Sequence, residues 1–237
     1  YLYLVGAKVL GISKNYPTSP SHFRDLNLKK NINNKICDIT NLKKVKKIFK
    51  QFQPDYVFHL AAQAIVSKSF DDPISTFNSN TIGTLNILES LREVKKCKAV
   101  IITSDKSYKN LEIKRGYNEN DILGGDDPYS GSKGAAELVI NSYIKSFFSE
   151  GKNIRIAIAR AGNVIGGGDW STNRIIPDCV KSWYKNKNVK IRNPNSTRPW
   201  QHVLDAIRGY IILAIKLDNS KIHGEAFNFG PDSKQNQ

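Results

Sequence analysis

Short apolar runs alternate with segments of helical periodicity along most of this chain, and that alternation limits its fold more than any other feature. Lys8–Ile12, Lys35–Ile39, Asp55–Ala62, Ala99–Ser104 and Asn153–Ala159 read as strands. Between them, Asn41–Gln51 reads as a helix with Thr40 as its N-cap. Pro73–Lys95 reads as a long helix, because Ile74, Phe77, Thr81, Ile82, Leu85, Leu88 and Leu91 recur at three- and four-residue steps. Tyr129–Phe148 carries a similar stripe in Ala135, Ala136, Leu138, Val139, Tyr143, Ile144 and Phe147. Nearly continuous apolar strands imply burial on both sheet faces. Strand–helix alternation implies an α/β fold with a doubly wound parallel sheet. The regularity holds to about Arg160, and the irregular remainder reads as a smaller C-terminal lobe, with Gly166-Gly167-Gly168 as a turn. Tyr1–Gly6 reads as the tail of a helix entering a strand. The expectation is a chain that lacks its first β-α unit and may also be cut after Gln237.

Composition narrows the function classes. Of 237 residues, 40% are hydrophobic and 24% charged, as in water-soluble globular domains, and no apolar run approaches the ~20 residues of a membrane span. The three cysteines, Cys37, Cys97 and Cys179, are far apart and lack metal-ligand spacing, so buried free thiols in a cytoplasmic protein are expected, with no metal. A formal charge of +15 raises the question of nucleic acid. Its densest cluster, Lys43-Lys44-Val45-Lys46-Lys47, reads instead as the solvated face of an amphipathic helix, so neither nucleic acid nor membrane is expected as a partner.

In open parallel sheets, ligands bind beyond the carboxyl ends of the strands. Four groups of polar or small residues fall there: Asp38-Ile39, Ala61-Ala62-Gln63, Thr103-Ser104-Asp105-Lys106 and Arg160-Ala161-Gly162-Asn163. The helix after the third of these opens with Tyr129 and Lys133, four residues apart and so on one face. An ammonium beside a phenol lowers its pKa and makes the phenolate available as a base near neutrality.

These motifs resemble the extended short-chain dehydrogenase/reductase family of nucleotide-sugar epimerases and dehydratases. The narrower resemblance is to its CDP-glucose 4,6-dehydratase branch. It rests on Pro17-Thr18-Ser19-Pro20, Thr103–Tyr108, Gly116-Tyr117, Leu123-Gly124-Gly125 and Asp127–Leu138. It continues through Ala159–Trp170, Thr197–Val203 and Asn228–Pro231, so it covers essentially the whole chain.

The resemblance implies an NAD-binding Rossmann-like domain over 1–160 and a substrate-binding lobe over 161–237, interleaved with it. It implies a reaction in which a hydride leaves sugar C4 for NAD, water is eliminated across C5 and C6, and the hydride returns to C6. Tyr129 is then the base on the 4-hydroxyl, Lys133 tunes it, Ser104 bonds the 4-oxygen, Asp105 is the general acid and Lys106 removes the C5 proton. Cofactor contacts are implied at Asp38, Ile39, Leu60, Ala61, Ala62, Gln63, Asn80 and Thr103, besides Tyr129 and Lys133. Substrate contacts are implied at Arg160, Asn163, Arg174, Arg192 and Arg198, the last on the diphosphate. A homodimer through Pro73–Lys95 and Tyr129–Phe148 is implied as well.

Two departures stand against this pattern. No Gly-rich strand-to-helix turn is present to cradle pyrophosphate, and Gly6 and Gly11 cannot supply one. The acidic residue expected after the second strand, which bonds the adenosine ribose, is replaced by Ser13-Lys14, which weakens the distinction of NAD from NADP. The alternatives are another epimerase or dehydratase of nucleotide sugars, or a non-catalytic dinucleotide-binding protein.

Overall fold

In the computed structural model, residues 1–149, 153–191 and 193–232 are described. They form two compact units, Tyr1–Asp38 with Ile165–Ser196, and Ile39–Val164 with the chain from Thr197 onward. These packing units do not coincide with the segments 1–160 and 161–237, which follow binding roles.

In chain order the elements are β1 (Leu10–Ser13), α1 (His22–Asp25), β2 (Asn33–Ile36), α2 (Leu42–Phe52), β3 (Tyr56–His59), α3 (Val66–Asp71) and α4 (Pro73–Phe77). Then follow α5 (Gly83–Leu91), β4 (Cys97–Ile102), α6 (Pro128–Phe147), β5 (Ile154–Ala161), β6 (Asn163–Ile165), α7 (Ile175–Tyr184), β7 (Trp200–His202), α8 (Val203–Lys216) and β8 (Ala226–Phe229). The first unit holds a two-stranded parallel sheet of β1 and β2, with Leu10 opposite Asn33 and Ser13 opposite Ile36. Residues 1–6, expected as a helix tail, form turns.

The second unit is built on a four-stranded parallel sheet in the order β3-β4-β5-β8. Helices return the chain between successive strands, as parallel pairing requires. The two faces of β5 are chemically distinct, because alternate side chains point to opposite sides. Ala157, Ala159 and Ala161 lie on one side and pack with Ala206, Tyr210, Leu213 and Ala214 of α8. Their small side chains let that helix approach closely. Ile156 and Ile158 turn the other way and are fully buried. Each such side chain contributes about 1.5–3 kcal/mol on leaving water.

The long helix expected over 73–95 is interrupted. Asn78–Ile82 forms a π-turn between α4 and α5, and the chain leaves the helix after Leu91. Asn41, not Thr40, caps α2, its side-chain oxygen accepting from Lys44 N at 3.0 Å. The expected turn after Ile165 is present, with Gly168 at φ +81°. All three cysteines are free and buried.

Candidate functional site

The site lies in the second unit, where β4 ends and α6 begins. Asp127 starts the helix: one carboxylate oxygen accepts from Tyr129 N at 2.9 Å and Ser130 N at 3.0 Å, the other from Ser130 Oγ at 2.6 Å. Pro128 fills the first helical position, where no amide hydrogen is needed. Tyr129 therefore enters the helix at its first turn, with Lys133 one turn on. Both are buried, at 8% and 7% exposure. Gly125 packs against that turn so closely that a Cβ there would lie 2.3 Å from Ser130 C.

Burial pulls the Lys133 ammonium down to about 8, and the Glu137 carboxylate one turn further along opposes that fall. Among the described residues Lys133 makes no hydrogen bond. That ammonium, on the carboxyl side of a parallel sheet and beside the small residues Ala61 and Ala62, suits a ribose hydroxyl, so the residues present fit a dinucleotide. His59 at the end of β3 is held neutral, its pKa lowered to about 3 by burial and then by Lys133. Thr84 Oγ1 donates to Asn80 O at 2.7 Å, so the 3.0 Å contact with His59 must use a proton on Nε2.

On the strand side, Ser104 caps the 3-10 turn Asp105–Ser107. Its hydroxyl donates to Asp105 Oδ1 at 3.0 Å and accepts from Lys106 N at 3.2 Å. Burial raises the Asp105 carboxyl above its ordinary range, while Lys106, Ser104 and Arg198 pull it back. Arg198 thus acts on Asp105, as a residue near the reacting end of a substrate would.

The amide of Asn80 is fully engaged. It accepts from Gln63 N at 2.8 Å and donates to Gln63 O at 3.1 Å and Ser132 Oγ at 2.9 Å. Thr81 adds a bond to Ser132 O. The π-turn thereby ties the loop after β3 to the first turns of α6, a use of irregular helix common at functional sites. The Gln63 side chain, expected at the cofactor, bonds Ile65 N and Ile65 O in its own loop and Thr76 Oγ1 of α4. Leu60 is 56% exposed on that loop, with Ala61 and Ala62 half-buried beside it.

The structure places the other expected residues as follows. The Thr103 hydroxyl donates to Glu137 Oε1 at 2.7 Å. Arg160 is 4% exposed and bound to Glu137 through Nε and Nη2, at 2.5–3.0 Å, and to Tyr108 Oη and Glu119 O through Nη1. Its guanidinium is a structural cation, because a buried charge must be paired. Ile39 is buried against Gly83, and its carbonyl accepts from Asn86. Asp38 and Arg174 belong to the first unit, where Lys14 pairs with Asp38 at 2.8 Å and Arg174 with Asp169 at 3.3 Å. Asn163 is half-buried in β6. Arg192 lies outside the described residues.

The residue that sequence reasoning missed is Glu137. It is fully buried, and removing one partner of such a pair costs about 3–5 kcal/mol. The signal was available: a carboxylate four residues after Lys133, inside an apolar stripe.

Comparisons with known proteins bear on the family and the fold. The family model for GDP-mannose 4,6 dehydratase matches residues 1–226. The chain is 46% identical over 234 residues to the CDP-glucose 4,6-dehydratase of Salmonella typhimurium, covering 96% of the chain and 65% of that relative. It is 30% identical over 199 residues to the dTDP-D-glucose 4,6-dehydratase of Dictyostelium discoideum, 79% of the chain and 44% of the relative. Among solved structures, the UDP-glucose 4-epimerase of Thermotoga maritima with UDP-glucose superposes with a TM-score of 0.84 at 23% identity, over 100% of the chain and 72% of the other. A double mutant of the dTDP-glucose 4,6-dehydratase DesIV of Streptomyces venezuelae with NAD bound gives 0.80 at 20%, over 97% and 70%. The chain thus spans less than two thirds of the length of the curated relatives it matches.

Proposed function

The chain belongs to the GDP-mannose 4,6 dehydratase family, and from that premise we propose that the protein is an NAD-dependent nucleotide-sugar 4,6-dehydratase acting on CDP-glucose. The specific substrate is argued from the 46% identity to a CDP-glucose 4,6-dehydratase. The mechanism is argued from one observation: Asp105, its pKa raised by burial, shares a 3-10 turn with Lys106. A carboxyl whose pKa is raised by burial, next to a lysine, offers an acid and a base on one turn, as an elimination needs.

NAD, when bound, supplies the hydride acceptor for C4 and later the donor for C6. The chain's own residues do the rest. Lys133 carries a positive charge on the Tyr129 face of α6, which favours the phenolate, and Tyr129 takes the proton of the 4-hydroxyl. Ser104 holds the 4-oxygen. The resulting 4-ketone acidifies the C5 hydrogen, Lys106 removes it as a proton, Asp105 protonates the departing 6-hydroxyl, and Lys106 gives its proton back to C5 when the hydride returns to C6. The product is a 4-keto-6-deoxy sugar plus water, and the cofactor ends as it began. Arg198 is assigned to the substrate diphosphate, supported by a guanidinium fork suited to phosphate. The cofactor's place is supported by the Lys133 ammonium and the small residues Ala61 and Ala62 on the carboxyl side of the sheet.

A homodimer and a cytoplasmic location complete the reading. The dimer is supported by Ile74, Phe77, Ile82 and Leu138, which are exposed on α4, the π-turn and α6. Among the described residues no helix is long and apolar enough to cross a membrane.

The test is product analysis of the full-length protein with CDP-glucose and NAD. The expected product is CDP-4-keto-6-deoxyglucose, with turnover reduced about 10²–10⁴-fold in Tyr129→Phe. No product from CDP-glucose, or unchanged turnover in Tyr129→Phe, overturns the reading.

A further inference from the structure

A buried network joins the two arms of the site. Thr103 immediately precedes Ser104-Asp105-Lys106, and its hydroxyl donates to Glu137 Oε1 at 2.7 Å. Glu137 lies on the Tyr129–Lys133 face of α6, spaced four residues from Lys133 and eight from Tyr129. Arg160, at the end of β5, grips the same carboxylate from Nε and Nη2. Its Nη1 reaches Tyr108 Oη at 2.7 Å, and Tyr108 in turn donates to Asn228 of β8 at 2.7 Å.

We propose, building on the dehydratase reading, that Glu137 is a positioning residue: clamped by Thr103 and Arg160, its carboxylate ties the strand end bearing the elimination pair to the helix bearing Tyr129 and Lys133, and keeps Lys133 an ammonium. A merely structural salt bridge needs no place on this face. A carboxylate one turn from the Lys133 ammonium, on the same helix face, offsets part of its desolvation.

The charges around Lys133 allow this role. His59 from β3 is neutral, and Glu137 is the anion that acts on it. The 3-10 turn packed against α6 presents Asp105 and Lys106. Lys68 and Asp71 lie on α3; α4 and the π-turn carry no charged residue. On α5, Glu89 and Arg92 meet Tyr143 and Phe147, at the far end of α6.

The sign follows. In Glu137→Gln, Lys133 loses its compensating anion and Arg160 is left as an unpaired cation. Both changes disfavour the ammonium, so Lys133 releases its proton at lower pH. Tyr129 then loses its electrostatic support, and the alkaline limb of the kcat profile moves to lower pH.

The experiment uses full-length protein with NAD. The kcat profile with CDP-glucose is measured for wild type, Glu137→Gln and Glu137→Gln/Arg160→Met, the last removing both charges so that a folded comparison remains. Lys133 is titrated in parallel by NMR in ¹³C-lysine-labelled protein, its signal assigned by loss in Lys133→Met. In Glu137→Gln the expected result is a Lys133 midpoint and an alkaline limb lowered together by about one pH unit, with KM changed less than kcat; in the double variant, which leaves no unpaired Arg160 cation, both are lowered by less. A midpoint and limb of Glu137→Gln at their wild-type positions, with only the melting temperature lowered, would reduce Glu137 to a brace and overturn the proposal. The dehydratase reading fails separately, if wild type makes no product; the NMR titration still decides the role of Glu137.

Discussion

Asp105 and Lys106 are adjacent, yet the proposed reaction gives them opposite duties, and that division can be tested at single atoms. Burial raises the Asp105 carboxyl above its ordinary range. Asparagine at 105 preserves shape but cannot give a proton to the leaving hydroxyl. Asp105→Asn is therefore expected to oxidise C4 and exchange the C5 hydrogen with solvent deuterium, while product formation falls about 10²–10⁴-fold and NADH absorbance persists. Lys106→Met is expected to accumulate NADH with no C5 exchange. Full exchange in Lys106→Met, seen by mass spectrometry, would remove Lys106 as the base. Asp105 and Lys106 were assigned through the family resemblance, because their identity and spacing alone fit an ordinary polar strand end. The pairing of Arg160 was not legible in the sequence. Its place depends on Glu137, 23 residues earlier in the chain and joined to it only by the folded sheet. A cation before a glycine at a strand end looks alike whether it meets a phosphate or a buried carboxylate.

At the scale of elements, strands and helices were readable to within a few residues wherever apolar periodicity was strong, as in β4, β5 and α6. The π-turn at Asn78–Ile82 was not. Its apolar residues keep helical steps on both sides, and the irregularity arises where Asn80 bonds Gln63 and Ser132 from other segments. α8 went unread because the sequence before it is broken by Pro194 and Pro199, which hid the regular helix beyond. The start of α6 offers an element-scale test. A methyl on Gly125 would meet the backbone of Ser130 at 2.3 Å, which the helix can relieve only by shifting its first turn. Gly125→Ala is expected to lower kcat at least tenfold, since small displacements of reacting groups are costly, and to lower the melting temperature. Gly116→Ala meets nothing within 4 Å and is expected to leave both unchanged. Equal kcat in the two variants would show that the Gly125 contact does not position Tyr129.

For the whole molecule, charge and apolar surface make opposing demands. A formal charge of +15 disfavours self-association, and more strongly at low salt. The second unit nonetheless exposes Ile74 at 74%, Phe77 at 39%, Ile82 at 43% and Leu138 at 63%. Ile74 and Ile82 lie two turns apart along α4 and the π-turn, and Phe77 reaches Gly131 of α6, where an added Cβ would lie 3.5 Å from its ring. The patch thus runs across neighbouring helical segments. A stable interface of standard size buries about 1,200–2,000 Å² in total, and apolar burial at about 25 cal/mol per Å² can outweigh a screened charge penalty. The full-length protein is therefore expected to sediment as a dimer, more tightly as salt is raised. Leu138→Glu combined with Ile82→Glu places two charges in the patch and is expected to yield monomers by sedimentation velocity. Unchanged dimers in that variant would place the contact elsewhere, and a wild-type monomer at all salt concentrations would remove the dimer from the proposed reading.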